Sequence, residues 1–477
     1  MGSLPPARGR AHPRTRRWDA VVVGGALPGL VTAIVLGQRG ARVLVLEEEA
    51  AARGFPGLRE PFFLPGSERE SVLGACLRTL GVPLIDQRRV QIDPVGLQVV
   101  LPDARLDVGD AALSASEWVS WGLAKPQLAR SLARGLESAA DAERRALLAA
   151  PFVRSSRRLG LGALRGMPAR KPLVPPPPEA AAAAARGLPA ELAELPPRLA
   201  AVLEAQTRGL ARLGGAAPSP EARARLLGAP FEGGATIRGI PWLREILRQR
   251  IQSLYGEFRT LAGPFSLVAA SGQPGVAQPG SEEVWAGRVL IVNAPLATLA
   301  RVAEQEEILG LLRTPPERHR RRALHLRIPR RAVPEAMAPR VLRIADPDAP
   351  LEGANLVALR VFQAAGDAEV ANVVASAVAT AETADMEGLD RALEAVAAEL
   401  LPFAECERSR APEPRWDTDD PLPDPMPGAG WPADTDVRAS SRQPVYTLDR
   451  SAVAALGVEG DLLLGWRTGE AIIADLA

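Results

Sequence analysis

The sequence predicts an α/β fold built around a Rossmann-like βαβ unit, with further helices and strands inserted between parts of its sheet. Residues 19–47, DAVVVGGALPGLVTAIVLGQRGARVLVLE, have the pattern strand, glycine turn, helix, strand, which is typical of a dinucleotide-binding unit. An equally apolar strand, VLIVN, occurs far downstream at 289–293. Because parallel strands that are buried on both faces are continuously apolar, both segments are predicted to share one sheet.

The glycine turn carries the three small positions of a G-x-G-x-x-G motif on Gly24, Ala26 and Gly29, with Gly25 between the first two. These positions allow the turn, the approach of a pyrophosphate and close helix packing, and the helix N-terminus attracts the anion. Glu47 follows about 20 residues later, where an acid accepts hydrogen bonds from a ribose diol. The pattern predicts an adenine dinucleotide site weakened by the methyl group of Ala26. A Rossmann-like unit without a ligand is the alternative.

The rest of the chain alternates between helical and strand patterns. Helices are predicted at 71–80, 111–148, 199–213, 389–400, from 469 onward, and after a glycine turn within 231–250. Strands are predicted at 90–101, 106–108, 257–260, 265–269, 284–285, 357–364, 370–377 and 461–465.

The composition excludes several classes of function. The 57 basic and 56 acidic side chains nearly cancel, so no field attracts nucleic acid. Two separated cysteines, Cys76 and Cys406, and three scattered histidines, His12, His319 and His325, form no metal-ligand pattern. Two thiols in so long a chain suggest a reducing compartment, and a cytoplasmic location is predicted. The basic run 318–322 is predicted to be a solvated surface.

The first 17 residues are polar, basic and predicted to be disordered. Arg16-Arg17 before the apolar run 20–37 could also mark a signal peptide or a membrane span. Asp19, the Gly24-Gly25 break and the regular second strand favour a βαβ unit instead. The segment 171–197, rich in proline and alanine, is predicted to be a linker or an exposed insertion.

Four other features have two interpretations each. Trp118 and Trp121 could line a lipid-like pocket, although core packing is favoured. Cys406 could anchor a cofactor covalently, although a structural role is favoured. Arg53 could contact a phosphate or lie on the surface. Four aspartates could bind a metal, but no calcium-type loop follows them and a solvated acidic loop is favoured: Asp417, Asp419, Asp420 and Asp424.

The chain resembles the FAD-dependent oxidoreductases of the phytoene desaturase, carotenoid isomerase and flavin amine oxidase superfamily. Four regions carry the resemblance: DAVVVGGALPGL with VLVLEEE; FEGGATIRGIPWLREIL; YGEFRTLAGPFSLV with VWAGRVLIVNAPLATL; and DLLLGWRTGEAI. Their order and spacing cover almost the whole chain and are more specific than any one of them.

The resemblance implies an FAD-binding domain assembled from separated segments, with an inserted α+β substrate domain. The implied order is a disordered N-terminus (1–17), FAD domain (18–105), helical substrate domain (106–228), FAD domain (229–303), substrate sheet and helix (304–440) and FAD domain (441–477).

It also implies a function, the transfer of a hydride from a hydrophobic substrate such as a polyene to the flavin, or isomerisation of that substrate. By analogy Phe265 offers its backbone to adenine, and Gly465 and Trp466 neighbour the flavin. No catalytic acid or base is assigned, and the oligomeric state is not predicted. The candidate cofactor-binding residues are Gly24, Gly25, Ala26, Gly29, Glu47, Arg53, Phe265, Gly465 and Trp466.

Three positions depart from the family pattern. Arg53-Gly54 stand where the family has a glycine pair, Gly465-Trp466 stand where it has Gly-Asp, and Ala26 replaces a glycine. A flavin-free pseudo-enzyme that keeps the fold for interaction or scaffolding is therefore the main alternative function. A protein that carries a lipid at the inner membrane surface is a third. Neither Lys125 nor Lys171 lies in a segment matching the flavin-side lysine of amine oxidases, which favours the desaturase/isomerase branch.

Overall fold

The computed structural model of the chain describes residues 14–48, 61–66, 71–149, 152–155, 188–214, 217–237, 243–293, 319–364, 367–380, 385–404, 407–410, 435–439 and 443–476. The strands are β1 Arg14–Val23, β2 Val43–Glu48, β3 Val90–Asp93, β4 Leu97–Leu101, β5 Ala104–Val108, β6 Val153–Arg154, β7 Gly234–Ile237, β8 Glu257–Leu261, β9 Ser266–Ala270, β10 Gln273–Ala277, β11 Glu283–Val292, β12 His319–Pro329, β13 Arg340–Ile344, β14 Leu356–Ala364, β15 Asp367–Thr380, β16 Glu407–Arg410, β17 Thr435–Asp436 and β18 Val445–Thr447.

The α-helices are α1 Leu27–Gly37, α2 Val72–Thr79, α3 Leu84–Gln87, α4 Ala111–Ser120, α5 Pro126–Ala149, α6 Pro197–Leu210, α7 Pro220–Gly228, α8 Leu243–Ser253, α9 Met386–Leu400 and α10 Gly457–Leu476. Short 3-10 helices occupy Ala190–Ala193, Ala229–Glu232, Arg330–Ala332, Gly353–Asn355 and Arg450–Leu456. Within these ranges, no helix combines the length and the apolar character needed to cross a membrane.

Two seven-stranded sheets organise the described chain. The first has the order β8-β2-β1-β11-β10-β9, and β18 also pairs with β11. Its strands β8, β2, β1, β11 and β18 are parallel to one another, as predicted for the βαβ unit and the returning strand, whereas β10 pairs with β11 and β9 antiparallel. The second sheet has the order β16-β12-β15-β14-β13-β4-β5 and is antiparallel except for the β13–β4 pair.

The first sheet is buried on both faces, which explains its continuous apolar strands. Side chains of β1 alternate between two cores because successive residues point to opposite faces. Ala20 and Val22 contact the layer that contains α1, α8 and α10. Val21 and Val23 contact the opposite layer, which contains Phe265. The second sheet lies between helices α4 to α7 on one face and α9 on the other.

Helix α10 packs along α1 at close range. A Cβ added at Gly465 would lie 2.8 Å from Val31, and one added at Gly469 would lie 2.6 Å from Val35. Thr32 Oγ1 donates a hydrogen bond of 2.9 Å to the carbonyl of Gly465. Because the later glycine meets the later residue of α1, the helices run in the same direction and their N-termini share one end of the molecule.

The predicted strand at 461–465 is wrong, because these residues form part of α10. Leu462, Leu463 and Leu464 are all buried, and a short apolar run of this kind does not distinguish a buried strand from a buried helix. The strand that joins the first sheet near the C-terminus is β18, about 15 residues earlier in the chain by the boundaries above.

Other boundaries also differ from the prediction. Residues 319–322 of the basic run lie on β12 and pair with β15, and Arg322 binds Asp390 through two hydrogen bonds of 2.7 and 2.8 Å. The segments 284–285 and 289–293 lie on one continuous strand, which ends at Val292. The tail predicted to be disordered enters β1 at Arg14. Strands β4 and β5 both join the second sheet, and the boundary predicted at 105 falls within β5.

Of the features with two interpretations, the structure describes the tryptophan pair and the end of the low-complexity segment. Trp118 is fully buried in the core beside α4, in agreement with the core interpretation, while Trp121 is 41% exposed and donates a hydrogen bond to Glu117. The aspartates of 417–424 and Cys406 lie outside the described residues, as does most of the low-complexity segment. Residues 188–197 of that segment contain one 3-10 turn and the start of α6.

Replacing Gly469 by leucine is expected to lower the free energy of unfolding by about 1–3 kcal/mol, because the new side chain overlaps Val35 in a packed layer. Chemical denaturation measures the effect. Ala474→Leu, on the exposed side of the same helix, is the matched control and should change stability little. Equal losses in both variants would contradict the close packing of α10 on α1.

Candidate dinucleotide site at the glycine turn

The candidate site lies where the parallel strands of the first sheet end. The carboxyl ends of β1, β2, β11 and β18 meet at one edge, which is where ligands of open α/β sheets bind. Gly24 leaves β1 with φ of +105°, a conformation that side chains disfavour. Helix α1 starts three residues later, with Pro28 in its first turn. The predicted turn and helix start are therefore formed.

Asn293 holds the glycine turn in place. It follows β11 and is fully buried, and its Nδ2 donates hydrogen bonds of 2.9 Å to the carbonyls of Gly24 and Ala26. In a trans peptide the carbonyl and the next N–H point in opposite directions. The amides of Gly25 and Leu27 therefore point away from Asn293. The side chain also fills the space beside Gly29, where a Cβ would overlap its amide.

Ala26 is 1% exposed and is the N-cap residue of α1. Its extended backbone (φ −65°, ψ 158°) is one that an L-residue adopts without strain. The position therefore tolerates alanine as far as the fold is concerned, and the predicted effect of its methyl group on a pyrophosphate stays a prediction.

Glu47 is buried at the end of β2 and is held by two arginines of α8. Arg244 Nη2 lies 2.6 Å from Glu47 Oε1, and Arg248 Nη1 binds Oε2. A Cβ added at Gly25 would overlap the Arg244 guanidinium and lie 2.7 Å from Glu47 Oε1. The Arg248 guanidinium also stacks on Phe258, 4.0 Å from the ring centroid. The predicted ribose acceptor is thus in place, but both its oxygens bind protein groups.

Two candidates predicted from the family lie in α10, and one of them, Gly465, packs on Pro28 in the first turn of α1. Gly465 faces α1 inside the α10 contact, and Trp466 packs against the same layer and donates a hydrogen bond of 2.8 Å to Glu470. The strand end to which their assignment beside a flavin was tied is part of α10, and the assignment itself stays a prediction. The residues that follow β18 are Leu448 and Asp449, and the amide of Leu448 donates to Val292 at 2.9 Å. Asp449 is the acid at the end of the C-terminal strand.

The structure says less about the two remaining candidate cofactor-binding residues, Phe265 and Arg53. Phe265 is fully buried, and its ring lies in the apolar layer behind β1 and β11. A contact of its backbone with adenine stays a prediction. Arg53 lies outside the described residues.

The start of α10 lies at the same end as the start of α1, but its acids are already paired. Asp461 is fully buried and accepts hydrogen bonds of 2.9 and 2.6 Å from Arg450, and it also pairs with Arg212. Glu459 accepts 2.6 and 2.8 Å bonds from Arg225. Such buried pairs keep each charge compensated. This helix start is therefore an internal ion-pair cluster.

Two further side chains with possible chemical roles, Cys76 and His325, lie in the described part of the chain and are not poised for reaction. Burial raises the pKa of the Cys76 thiol to about 12, so it stays protonated and unreactive at neutral pH. Burial lowers the pKa of His325, which therefore stays neutral at pH 7 beside Asn372. Among the residues that the structure describes, no group of three or more His, Cys, Asp or Glu side chains is arranged to hold a metal ion.

Sequence reasoning missed Asn293, Asp449, Arg244 and Arg248 as residues of this edge. Asn293 ends an apolar strand, and the arginines are four residues apart on one helix face. Both of these features can be seen in the sequence. What each side chain contacts depends on packing between segments about 200 residues apart, and no local pattern encodes that.

The chain has an α/β fold with a second sheet inserted between parts of the first, and it shares this fold with two solved oxidoreductases. An oxidoreductase from Methanosarcina mazei superposes with a TM-score of 0.55 at 12% identity, covering 97% of this chain and all of that chain. Wild-type putrescine oxidase with bound putrescine superposes with a TM-score of 0.53 at 12% identity, covering 96% and all of the two chains. No protein-family model and no curated protein sequence matches this one.

The residues at the edge fit the pyrophosphate of a dinucleotide better than its adenosine. The left-handed Gly24, the carbonyls tied by Asn293 and the start of α1 form an anion cradle. Glu47 suits a ribose diol by type and place. Because Glu47 is buried beneath Arg244 and Arg248, a ribose reaches its carboxylate only if these side chains move.

Asn293→Asp is expected to destabilise the protein by about 2 kcal/mol or more, because aspartate cannot donate to the two buried carbonyls. Denaturant titration measures the loss. Asn355→Asp is the matched control: its Nδ2 also donates to backbone carbonyls at 2.9 Å, but in a half-exposed loop where water can replace it. Similar losses in both variants would show that the glycine turn does not depend on Asn293.

Proposed function

We propose that the protein is an FAD-dependent oxidoreductase that acts on a hydrophobic substrate, of the desaturase or isomerase type. The observation that carries the proposal is the glycine turn, tied to β11 through Asn293 so that the start of α1 meets the carboxyl edge of the sheet. The shared fold of the two oxidoreductases supports it.

In this proposal the protein binds and orients the cofactor. The amide groups at the start of α1 receive the pyrophosphate, and Glu47 receives the adenosine ribose once its arginines are displaced. Asp449, at the end of β18, lies at the same edge. The bound flavin would supply the hydride acceptor, and the chain would supply position and exclusion of water.

A polyene-like substrate is favoured over an amine by the lysines of this chain. Lys125 is exposed ahead of α5, and Lys171 lies outside the described residues. Neither falls in a segment that matches the flavin-side lysine of amine oxidases. A cytoplasmic location, which the two thiols suggest, and contact with a membrane surface, which suits such a substrate, remain proposals.

A flavin-free relative that keeps the fold for interaction is the second candidate, and the paired state of Glu47 favours it. A carboxylate held by two arginines inside the protein needs no ribose to compensate its burial.

The visible spectrum of the full chain, after incubation with FAD and removal of free nucleotide, tests the proposal. Retained flavin bands that are released on denaturation are expected. Gly24→Ala should weaken retention about tenfold or more, since the left-handed turn is strained by a side chain. Gly280→Ala is the matched control, at φ of +78° with open space around it. A colourless protein that cannot be reconstituted would favour the flavin-free relative.

Anaerobic mixing of the reconstituted protein with candidate substrates tests the substrate class. We expect a hydrophobic polyene in detergent to bleach the flavin bands and putrescine to leave them unchanged. Bleaching by putrescine alone would place the chain with the amine oxidases.

A further inference from the structure

We infer that Arg244, Arg248 and Glu47 form a latch that closes the adenosine half of the site until a nucleotide displaces the arginines. The inference rests on the proposed function and adds a control of cofactor affinity to it.

The first support is that both oxygens of the Glu47 carboxylate already bind an arginine. Arg244 binds Oε1 at 2.6 Å, and Arg248 binds Oε2. A ribose diol needs these same oxygens as acceptors. The arginine-bound and ribose-bound states of Glu47 therefore compete for the same atoms.

The second support is the position of the Arg244 guanidinium. It lies against Gly25, inside the turn that would face the ligand, and its side chain is 4% exposed. The guanidinium thus fills the space between the glycine turn and Glu47. A nucleotide that enters must move it, as well as replace its hydrogen bond.

The third support is the asymmetry between the two arginines. Arg248 is 26% exposed and rests on the Phe258 ring, whereas Arg244 is enclosed. Both project from α8, which packs on α1. Arg248 is therefore the outer element of the latch, which can leave toward solvent, and Arg244 is the inner one.

The latch also compensates the charge of Glu47 in the absence of nucleotide. An uncompensated carboxylate at the end of β2 would be costly to bury. The arginines remove that cost, and they reduce the affinity for a nucleotide by the same interaction, because binding must first break it.

Calorimetric titration with ADP tests the latch without involving flavin chemistry. The double variant Arg244→Met/Arg248→Met keeps an unbranched apolar stem and removes both guanidinium groups with their charges. We expect it to bind ADP about tenfold or more tightly than the unaltered chain, which corresponds to about 1.4 kcal/mol or more. Arg250→Met is the control on the same helix, since Arg250 donates to Leu80 and lies away from Glu47.

A second ligand isolates the ribose contact. With 2′,3′-dideoxy-ADP, which lacks the diol, the double variant should show little of this gain. The single variant Arg248→Met leaves Arg244 to compensate the Glu47 charge, so it should fold even if the double variant does not. We expect it to give a smaller gain in ADP affinity than the double variant. Circular dichroism confirms that each variant is folded.

Three results would overturn the latch. Equal ADP affinity in all variants would overturn it and leave the proposed function intact. Weaker binding in the double variant would make the arginines ligand contacts and would also leave that function intact. No ADP binding by any variant would overturn both. A gain with ADP in a chain that never retains FAD would support the latch and overturn only the proposed function.

Discussion

Helix α1 is enclosed by close neighbours, and this constraint sets the geometry of the site. Residues 27–36 are all buried. Gly29 admits the Asn293 side chain on one side, while Gly465 and Gly469 admit α10 on another. Because protein interiors are close-packed, none of these neighbours can shift independently. The start of α1 is therefore held at the carboxyl edge of the sheet, whatever occupies the space beyond it.

At this rigid edge, the Glu47 carboxylate can exist in two states, bound to arginines or bound to a ribose. Asn293 fixes the turn by donating hydrogen bonds to the buried carbonyls of Gly24 and Ala26, and a ligand at the edge does not need these carbonyls. Glu47 differs, because its arginine partners occupy the position suited to a ribose. The same crevice can thus be viewed as a cofactor site or as a closed internal ion pair. Under the proposed function, the free-energy difference between the arginine-bound and the ribose-bound state of Glu47 decides whether the protein performs redox chemistry.

Much of the architecture could be predicted from the sequence, since the alternation of apolar residues and the glycine turn are local signals. The βαβ unit, the return of 289–293 to its sheet and the strands at 357–377 follow from them. The C-terminal segment could not be assigned, because the run 461–465 is too short and too apolar to separate helix from strand. The partners of Glu47 could not be predicted either, since Arg244 and Arg248 reach it only through tertiary packing.

A crystal structure of the full chain grown with ADP tests the central claim most directly. The account predicts a diphosphate at the start of α1, ribose hydroxyls on Glu47, and Arg244 displaced from Gly25. A crystal in which ADP is absent from that edge, with Arg244 still against Gly25 and Glu47 still bound by both arginines, would contradict it.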